Sequence, residues 1–213
     1  MNRVEAQKKL QEFLALSQAN RLMKVGFVND DGPEALLVIN KLEGKESLSK
    51  DFRYQLELLS DEPNIALKDV LGKLLCVELA REDGSTRYFT RHVFEFAYQG
   101  TDAGLAKYKA ILRPWLAYLR NRRDNCIFHH RTLTEQTSET FADYGSLPHW
   151  DISLVGDDPP MTDAVQFGDQ GESNYNYLHR RWSERGWFPR LTKHFQKIMN
   201  LLISLGHKLK LWN

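Results

Sequence analysis

Cysteine is almost absent. Cys76 and Cys126 are the only two in 213 residues, so no disulfide framework staples the chain. Both lie in apolar company, Leu75-Cys76-Val77 and Cys126-Ile127-Phe128, and read as small buried hydrophobes in a reducing compartment. The count also allows a single bond between them. An excess of charge of one sign is lacking too. Lys and Arg number 29 against 28 Asp and Glu, a formal net charge of +1, and no global field points to nucleic acid or an anionic membrane. No run approaches the roughly 18 to 20 apolar residues of a membrane span. Gln7, Lys8, Lys9, Gln11 and Glu12 interrupt the N-terminal apolar residues, so there is no signal-peptide core. The expectation is a protein made and folded in the cytoplasm, without stable membrane insertion.

Catalytic patterns are equally scarce. The chain has no Gly-x-Ser-x-Gly elbow and no glycine-rich phosphate loop, the local geometries that expose a nucleophile or cradle a phosphate. His129 and His130 are adjacent and on a strand would point to opposite faces, so they cannot chelate one ion together. Asp30-Asp31 and Asp157-Asp158 sit in turn-like contexts, where aspartate serves the backbone. No catalytic residue, cofactor-binding residue or metal ligand is assigned, no cofactor is expected, and the chain reads as a non-enzyme. Two arginine groups, Arg120, Arg122, Arg123 and Arg180, Arg181, Arg185, carry the alternative of a short nucleic-acid-binding module. Interspersed Asp124 and Glu184 favour salt-bridged surfaces instead, and no nucleic-acid partner is expected.

What is present is aromatic and alternating. Eleven Phe, eight Tyr and five Trp favour strands. Residues 3–19 read as an amphipathic helix. Strands are predicted at 22–28 and 35–40, separated by the turn cluster Asn29 to Pro33. Phe52, Tyr54, Leu56 and Leu58 alternate with Arg53, Gln55 and Glu57, the period of a half-buried strand. A helical turn is predicted around 67–71, then strands at 74–80, 86–99 and 106–113, with Asp83-Gly84 as a hairpin turn. The second half of 86–99 would put Phe94, Phe96 and Tyr98 on one face. This spacing predicts an antiparallel sheet that curls or closes into a barrel. At Pro114 the pattern changes. A helix is expected over 114–120, and a second opens at the capping box Thr132 to Glu135 and stops at Gly145. Short strands follow at 150–155 and 165–167. Ser173 caps a third helix, with Tyr175, Leu178 and Trp182 on one face, ended by Gly186.

Four segments are more informative than any catalytic pattern. Leu42-Glu43-Gly44-Lys45-Glu46-Ser47-Leu48-Ser49 with Phe52-Arg53-Tyr54-Gln55-Leu56 is the first. Tyr108-Lys109-Ala110-Ile111-Leu112-Arg113-Pro114-Trp115-Leu116 is the second, and Arg123-Asp124-Asn125-Cys126-Ile127-Phe128 the third. Val165-Gln166-Phe167 with Glu172-Ser173-Asn174-Tyr175 and Leu178 completes the series. Together these resemble, in order and spacing, the N-terminal region of the VgrG family, the spike proteins of type VI secretion. The resemblance runs from about Leu22 to Gly186.

The resemblance implies a structural part: the tip and hub of a contractile, phage-tail-like injection apparatus. It implies two related β-barrels per subunit with smaller inserted domains, and a homotrimer forming a pseudo-six-fold ring on the Hcp tube. An OB-fold, a β-helical needle and effectors would lie beyond, and export would run through the apparatus. The implied fold class is α+β and strand-rich, an antiparallel phage-tail hub-like β-barrel followed by a partial inserted α/β region. The expected domains are an N-terminal helix (1–21), a first barrel (22–113), an incomplete insert (114–187) and a divergent tail (188–213). Trp115 is expected to anchor the junction of barrel and insert. Past Trp187 the sequence departs from the family, and the tail reads as the out-of-frame end of an interrupted gene. A truncated or vestigial copy follows from that reading, or else an adaptor modulating spike assembly.

Overall fold

In the computed structural model the described residues are 21–47, 50–102, 104–154, 156–161 and 163–189. The predicted N-terminal helix and nearly all of the tail lie outside them. The chain divides into two compact units, one holding residues 21–46 and 52–114, the other residue 47, residues 50–51 and residues 115–189.

The first unit is one antiparallel sheet of six strands: β1 (Met23–Phe27), β2 (Leu37–Lys45), β3 (Arg53–Ser60), β4 (Leu74–Ala80), β5 (Thr86–Asp102) and β6 (Leu105–Arg113). Their spatial order is β1-β4-β5-β6-β3-β2. Alternation decides which face is inward. Tyr54, Leu56, Leu58 and Ser60 of β3 are buried while their neighbours are half-exposed. The register sets Tyr54 opposite Leu112, Leu56 opposite Ala110 and Leu58 opposite Tyr108, so buried residues of β3 face buried residues of β6. Val25, Leu75, Val77, Phe89 and Val93 extend the same apolar lining. The edge strands β1 and β2 approach one another, and the Arg21 guanidinium donates to the Ile39 carbonyl at 2.9 Å. No ladder among the described residues joins them. The result is a curled half-barrel, as the alternation predicts.

Two irregularities depart from simple alternation. β2 does not stop at Asn40. A register slip between Ile39 and Lys41 leaves Asn40 in a bulge, and the ladder with β3 resumes through Lys45 opposite Arg53. The polar residues that look like a strand end are the outer rim of a strand held by its partner. On β5 the ladder slips between Val93 and Glu95. Phe94 falls in that bulge, outside the register of the β6 ladder, so simple alternation does not carry through the expected face of Phe94, Phe96 and Tyr98. Phe96 and Tyr98 do share one, each packed on the Tyr108 ring at centroid distances of 4.8 and 5.6 Å. The β4–β5 turn holds Gly84 at φ 77, with the Asp83 carboxylate accepting from the Ser85 N–H at 2.9 Å, an aspartate-stabilised turn.

The second unit pairs β7 (Asn125–His129) with β8 (Asp163–Phe167). A two-stranded ladder is marginal alone, and here one face is covered by α1 (Leu133–Ala142) and α2 (Asn174–Glu184). Leu116, Leu119, Phe128, Leu133, Phe141, Ala164, Tyr177, Leu178 and Trp182 form its core. The capping box is realised in full: Thr132 Oγ1 accepts from the Glu135 N–H at 3.1 Å, and the Glu135 carboxylate accepts from the Thr132 N–H at 2.8 Å. Ser173 caps α2, accepting from the Asn176 N–H at 3.3 Å. The helix expected over 114–120 is present as a 3-10 helix, Trp115–Arg120, six residues being too few to repay α-helix nucleation. One expectation fails. Residues 150–154 form no strand; the ladder of β7 and β8 is complete without them, and an apolar run with no strand to pair with gains nothing by extending.

Leu56 and Leu178, each 0% exposed in its unit, carry the cores. Replacing either by Ala is expected to cost about 2–5 kcal/mol, since the cavity adds to the lost transfer energy. Urea denaturation at neutral pH, with a surface Lys109→Ala control near zero, checks this.

Candidate functional site

The residues singled out from sequence fall into both units and are described unit by unit; Ser49 lies outside the described residues. In the first, Gly44 lies opposite Tyr54 in the ladder, and a Cβ there would sit 2.9 Å from the tyrosine ring. Glycine is required because the ring lies over the backbone. Tyr54 is 3% exposed and packs between Phe52 and Phe89, with centroids at 5.3 and 5.4 Å. Its hydroxyl donates to the Glu46 carboxylate, which also pairs with Arg87 at 3.5 Å. Burial, then the bond to Glu46, pushes the Tyr54 hydroxyl pKa up to about 12. It is a structural donor at every physiological pH.

Tyr108, 2% exposed, serves the opposite loop. Its hydroxyl donates to the Glu62 carbonyl at 2.9 Å and accepts from the Ile65 N–H at 3.2 Å. The Asp61 to Asn64 break in the chain is thus tied to the sheet interior. Leu112 is 0% exposed opposite Tyr54, and Pro114 is buried at the end of this unit.

In the second unit, Trp115 packs edge-on against Phe141 at 4.8 Å, a contact within the unit's own core, and Leu116 is buried beside it. The third and fourth sequence segments meet. Cys126 pairs with Gln166 and Ile127 with Val165 across the ladder, and Arg123 forms a backbone bridge with Ser173. Inward of the ladder, Phe128 stacks on Tyr177 at 5.6 Å. Gln166 donates to the Asn174 side chain at 2.8 Å, and Asn174 donates to the Tyr144 hydroxyl at 3.0 Å. Glu172 accepts from Arg180 at 2.8 and 3.1 Å and from the Phe167 N–H at 3.1 Å. The Arg180 bonds, despite some desolvation, hold its carboxyl below the usual range. Asp124 contributes chiefly its backbone: a Cβ on Gly168 would lie 2.5 Å from the Asp124 carbonyl oxygen.

Three features escape sequence reading. Gly168 is one, since only the fold brings it onto Asp124. Asp158 is another: it accepts from the Leu133 and Thr134 N–H groups at 3.2 and 2.9 Å and from the Thr134 hydroxyl at 2.6 Å. It caps α1 from across the unit, a backbone role consistent with the turn reading of Asp157-Asp158. The third is Asp51. Its side chain is 5% exposed, gripped by Arg120 at 2.9–3.2 Å and by the Tyr175 hydroxyl. The Arg120 guanidinium lies 3.4 Å from the Tyr175 ring centroid. Burial alone would raise the Asp51 pKa, but these bonds hold it below its ordinary 3.8.

Four of the six arginines of the two groups, Arg120 among them, are paired with carboxylates. Arg122 pairs with Asp124 and Asp143, Arg181 with Glu184, and Arg180 with Glu172. Cys76 and Cys126 are both free thiols, and burial pushes the Cys76 thiol up to about 11. Among the described residues no group of His, Cys, Asp and Glu is arranged to hold a metal ion, and no helix is long and apolar enough to cross a membrane.

A curled antiparallel half-barrel, joined to a small α/β unit whose polar groups are spent on holding the backbone, is a scaffold of the phage-tail hub class. The phage tail baseplate hub (GPD) family profile matches residues 45–209, and the chain belongs to that family. It is 37% identical over 195 residues to the Pseudomonas aeruginosa type VI secretion system spike protein VgrG1c, covering 90% of this chain and 25% of that protein. With VgrG1b of the same organism, also a type VI secretion system spike protein, it shares 34% identity over 180 residues, 82% of this chain and 23% of the relative. The chain thus spans about a quarter of the length of these relatives. Its fold matches an E. coli component of the type VI secretion system described as structurally similar to bacteriophage tail proteins. That match has a TM-score of 0.64 at 22% identity, over 76% of this chain and 43% of the other. A tail protein from Neisseria meningitidis matches at a TM-score of 0.50 and 13% identity, over 80% and 47% of the two chains.

Two outcomes follow from the geometry. Asp51→Ala removes the buried carboxylate that Arg120 and the Tyr175 hydroxyl share. Because Arg120 is itself 41% exposed, water takes over part of the loss, and a cost of about 1–2 kcal/mol is expected in urea denaturation at neutral pH. Because the folded Asp51 pKa is depressed, its stabilisation is fully present above 3.8 and lost as pH falls through the lower folded value. The acid limb of the stability profile should be shallower in the variant. Gly168→Ala, which drives a methyl into a backbone carbonyl, is expected to cost about 1–3 kcal/mol, read as a drop in the thermal midpoint.

Proposed function

We propose that the chain acts as a structural hub element of a type VI secretion spike and not as a catalyst. What supports the reading is that the four signature segments are structural partners of one another. Gly44 meets Tyr54, Tyr54 meets Leu112, Cys126 meets Gln166, and Arg123 meets Ser173. Residues that resemble a spike family are here the residues that hold each unit's backbone in place. On this reading the signature positions Gly44, Glu46, Ser49, Phe52, Tyr54, Tyr108, Leu112, Pro114, Trp115, Leu116, Arg123, Asp124, Phe128, Gln166, Glu172 and Ser173 are architectural. The first unit is the hub barrel and the second its insert.

The partners this reading assigns are copies of a VgrG-type chain in a trimer, the Hcp tube and, in the assembled spike, effectors. It assigns synthesis in the cytoplasm and export through the apparatus. The nucleic-acid alternative loses its support in the second unit, where Arg120, Arg122, Arg180 and Arg181 are already paired with carboxylates.

Multi-angle light scattering of the whole chain with full-length VgrG and with Hcp tests the reading. Mixed species of defined mass are expected, and Tyr108→Ala, which frees the 61–65 loop, should reduce them. Absence of mixed species with both partners counts against the hub role. Retention on single- or double-stranded nucleic acid that falls steeply with salt would favour the alternative.

A further inference from the structure

The cluster around Asp51 contains a group that its scaffold role does not use. His179 follows Tyr175 by one turn of α2 and stacks on its ring, with centroids 4.1 Å apart and planes at 28°. On its C-terminal side it meets the Trp182 ring at 5.2 Å. Its Nε2 is buried and has no hydrogen-bond partner. A neutral ring tolerates this, because an unused acceptor costs about 1–3 kcal/mol at most. A protonated ring would instead carry a buried N–H donor with no acceptor, at a higher cost.

The charged and titratable groups facing His179 come from three elements. The segment ending at Asp51 presents its carboxylate, which favours the charged ring. The Trp115–Arg120 turn presents the Arg120 guanidinium, which disfavours it. From α2 comes the Tyr175 phenol, beside the uncharged Trp182 ring. Burial is the largest influence, and the balance lowers the His179 pKa from its ordinary 6.5. Asp51 stays ionised throughout that range, being held below 3.8.

We propose that His179 is an acid-sensitive release for the Asp51 anchor: to take up a proton its ring must leave the Tyr175 stack for water, and Tyr175 is one of the two groups that hold Asp51. The coupling is direct, since the Tyr175 ring contacts His179 and Arg120 while its hydroxyl donates to Asp51. Because the folded pKa lies below the unfolded one, the neutral-ring stabilisation is fully present above 6.5 and is lost as pH falls through the folded value. Mild acid thus loosens Asp51 and the first turns of α2 well before any carboxylate of the cluster titrates.

Hydrogen–deuterium exchange on the whole chain, compared at about pH 7.5 and about pH 5.5 after correction for intrinsic rates, tests this. Peptides covering Asp51 and Tyr175–Glu184 should exchange several-fold faster in acid. His179→Phe, which keeps a ring on Tyr175 but cannot titrate, should abolish the difference. A wild-type difference of zero, or an equal difference in His179→Phe, overturns the proposal. If His179→Phe does not fold, the wild type decides by NMR. The His179 ring should titrate below 6.5, with Tyr175 and Trp182 side-chain resonances following it. Titration at or above 6.5, or neighbours that do not follow, likewise refutes the release.

Discussion

A peptide N–H or carbonyl buried without a partner costs about 1–3 kcal/mol, and the need to satisfy every such group shapes both units. In the first, ladders between neighbouring strands do nearly all of it. After β3 the ladder stops, and there the loop from Asp61 to Ile65 is held by a tyrosine hydroxyl that both donates to Glu62 and accepts from Ile65. The second unit has only a two-stranded ladder, so side chains take over. Asp158 and Thr132 hold the start of α1, Ser173 the start of α2, and Glu172 the turn after β8.

That division of labour explains why polar residues stand at buried positions among the described residues. Gln136, Gln166, Ser173 and Asn174 are each under 9% exposed. Nearly every one is committed to a named partner: Gln136 to the Arg131 carbonyl and the Tyr177 hydroxyl, Gln166 to Asn174. A buried polar group tied at both ends rigidifies a scaffold and is a poor nucleophile or base. The same logic applies to Arg120, Arg122, Arg180 and Arg181, whose guanidinium groups brace carboxylates.

Much of this was legible in advance where a local rule applies. Period-two alternation from Phe52 to Leu58 identifies a strand and its inner face. Thr132 to Glu135 identifies a helix start, and Asp83-Gly84 a hairpin. Local rules failed where the decisive partner is remote. Asn40 looks like a strand end but is a bulge, because β3 continues the ladder beyond it. Simple alternation runs Phe94, Phe96 and Tyr98 together, but the slip against β6 interrupts the ladder at Phe94. Asp51 looks like an ordinary loop aspartate, since nothing nearby in sequence announces Arg120 and Tyr175.

The amino-acid sequence by itself determined the strand-rich class, the positions of most strands, both helix caps and the membership signalled by the four segments. All of these depend on residues a few positions apart or on their order along the chain. The tertiary structure alone decided the strand order, the two bulges, the recruitment of Asp51 to the second unit and the burial of His179 against Tyr175. Those depend on which distant residues share a space. Side-chain chemistry names what a residue needs, but only packing decides which group supplies it.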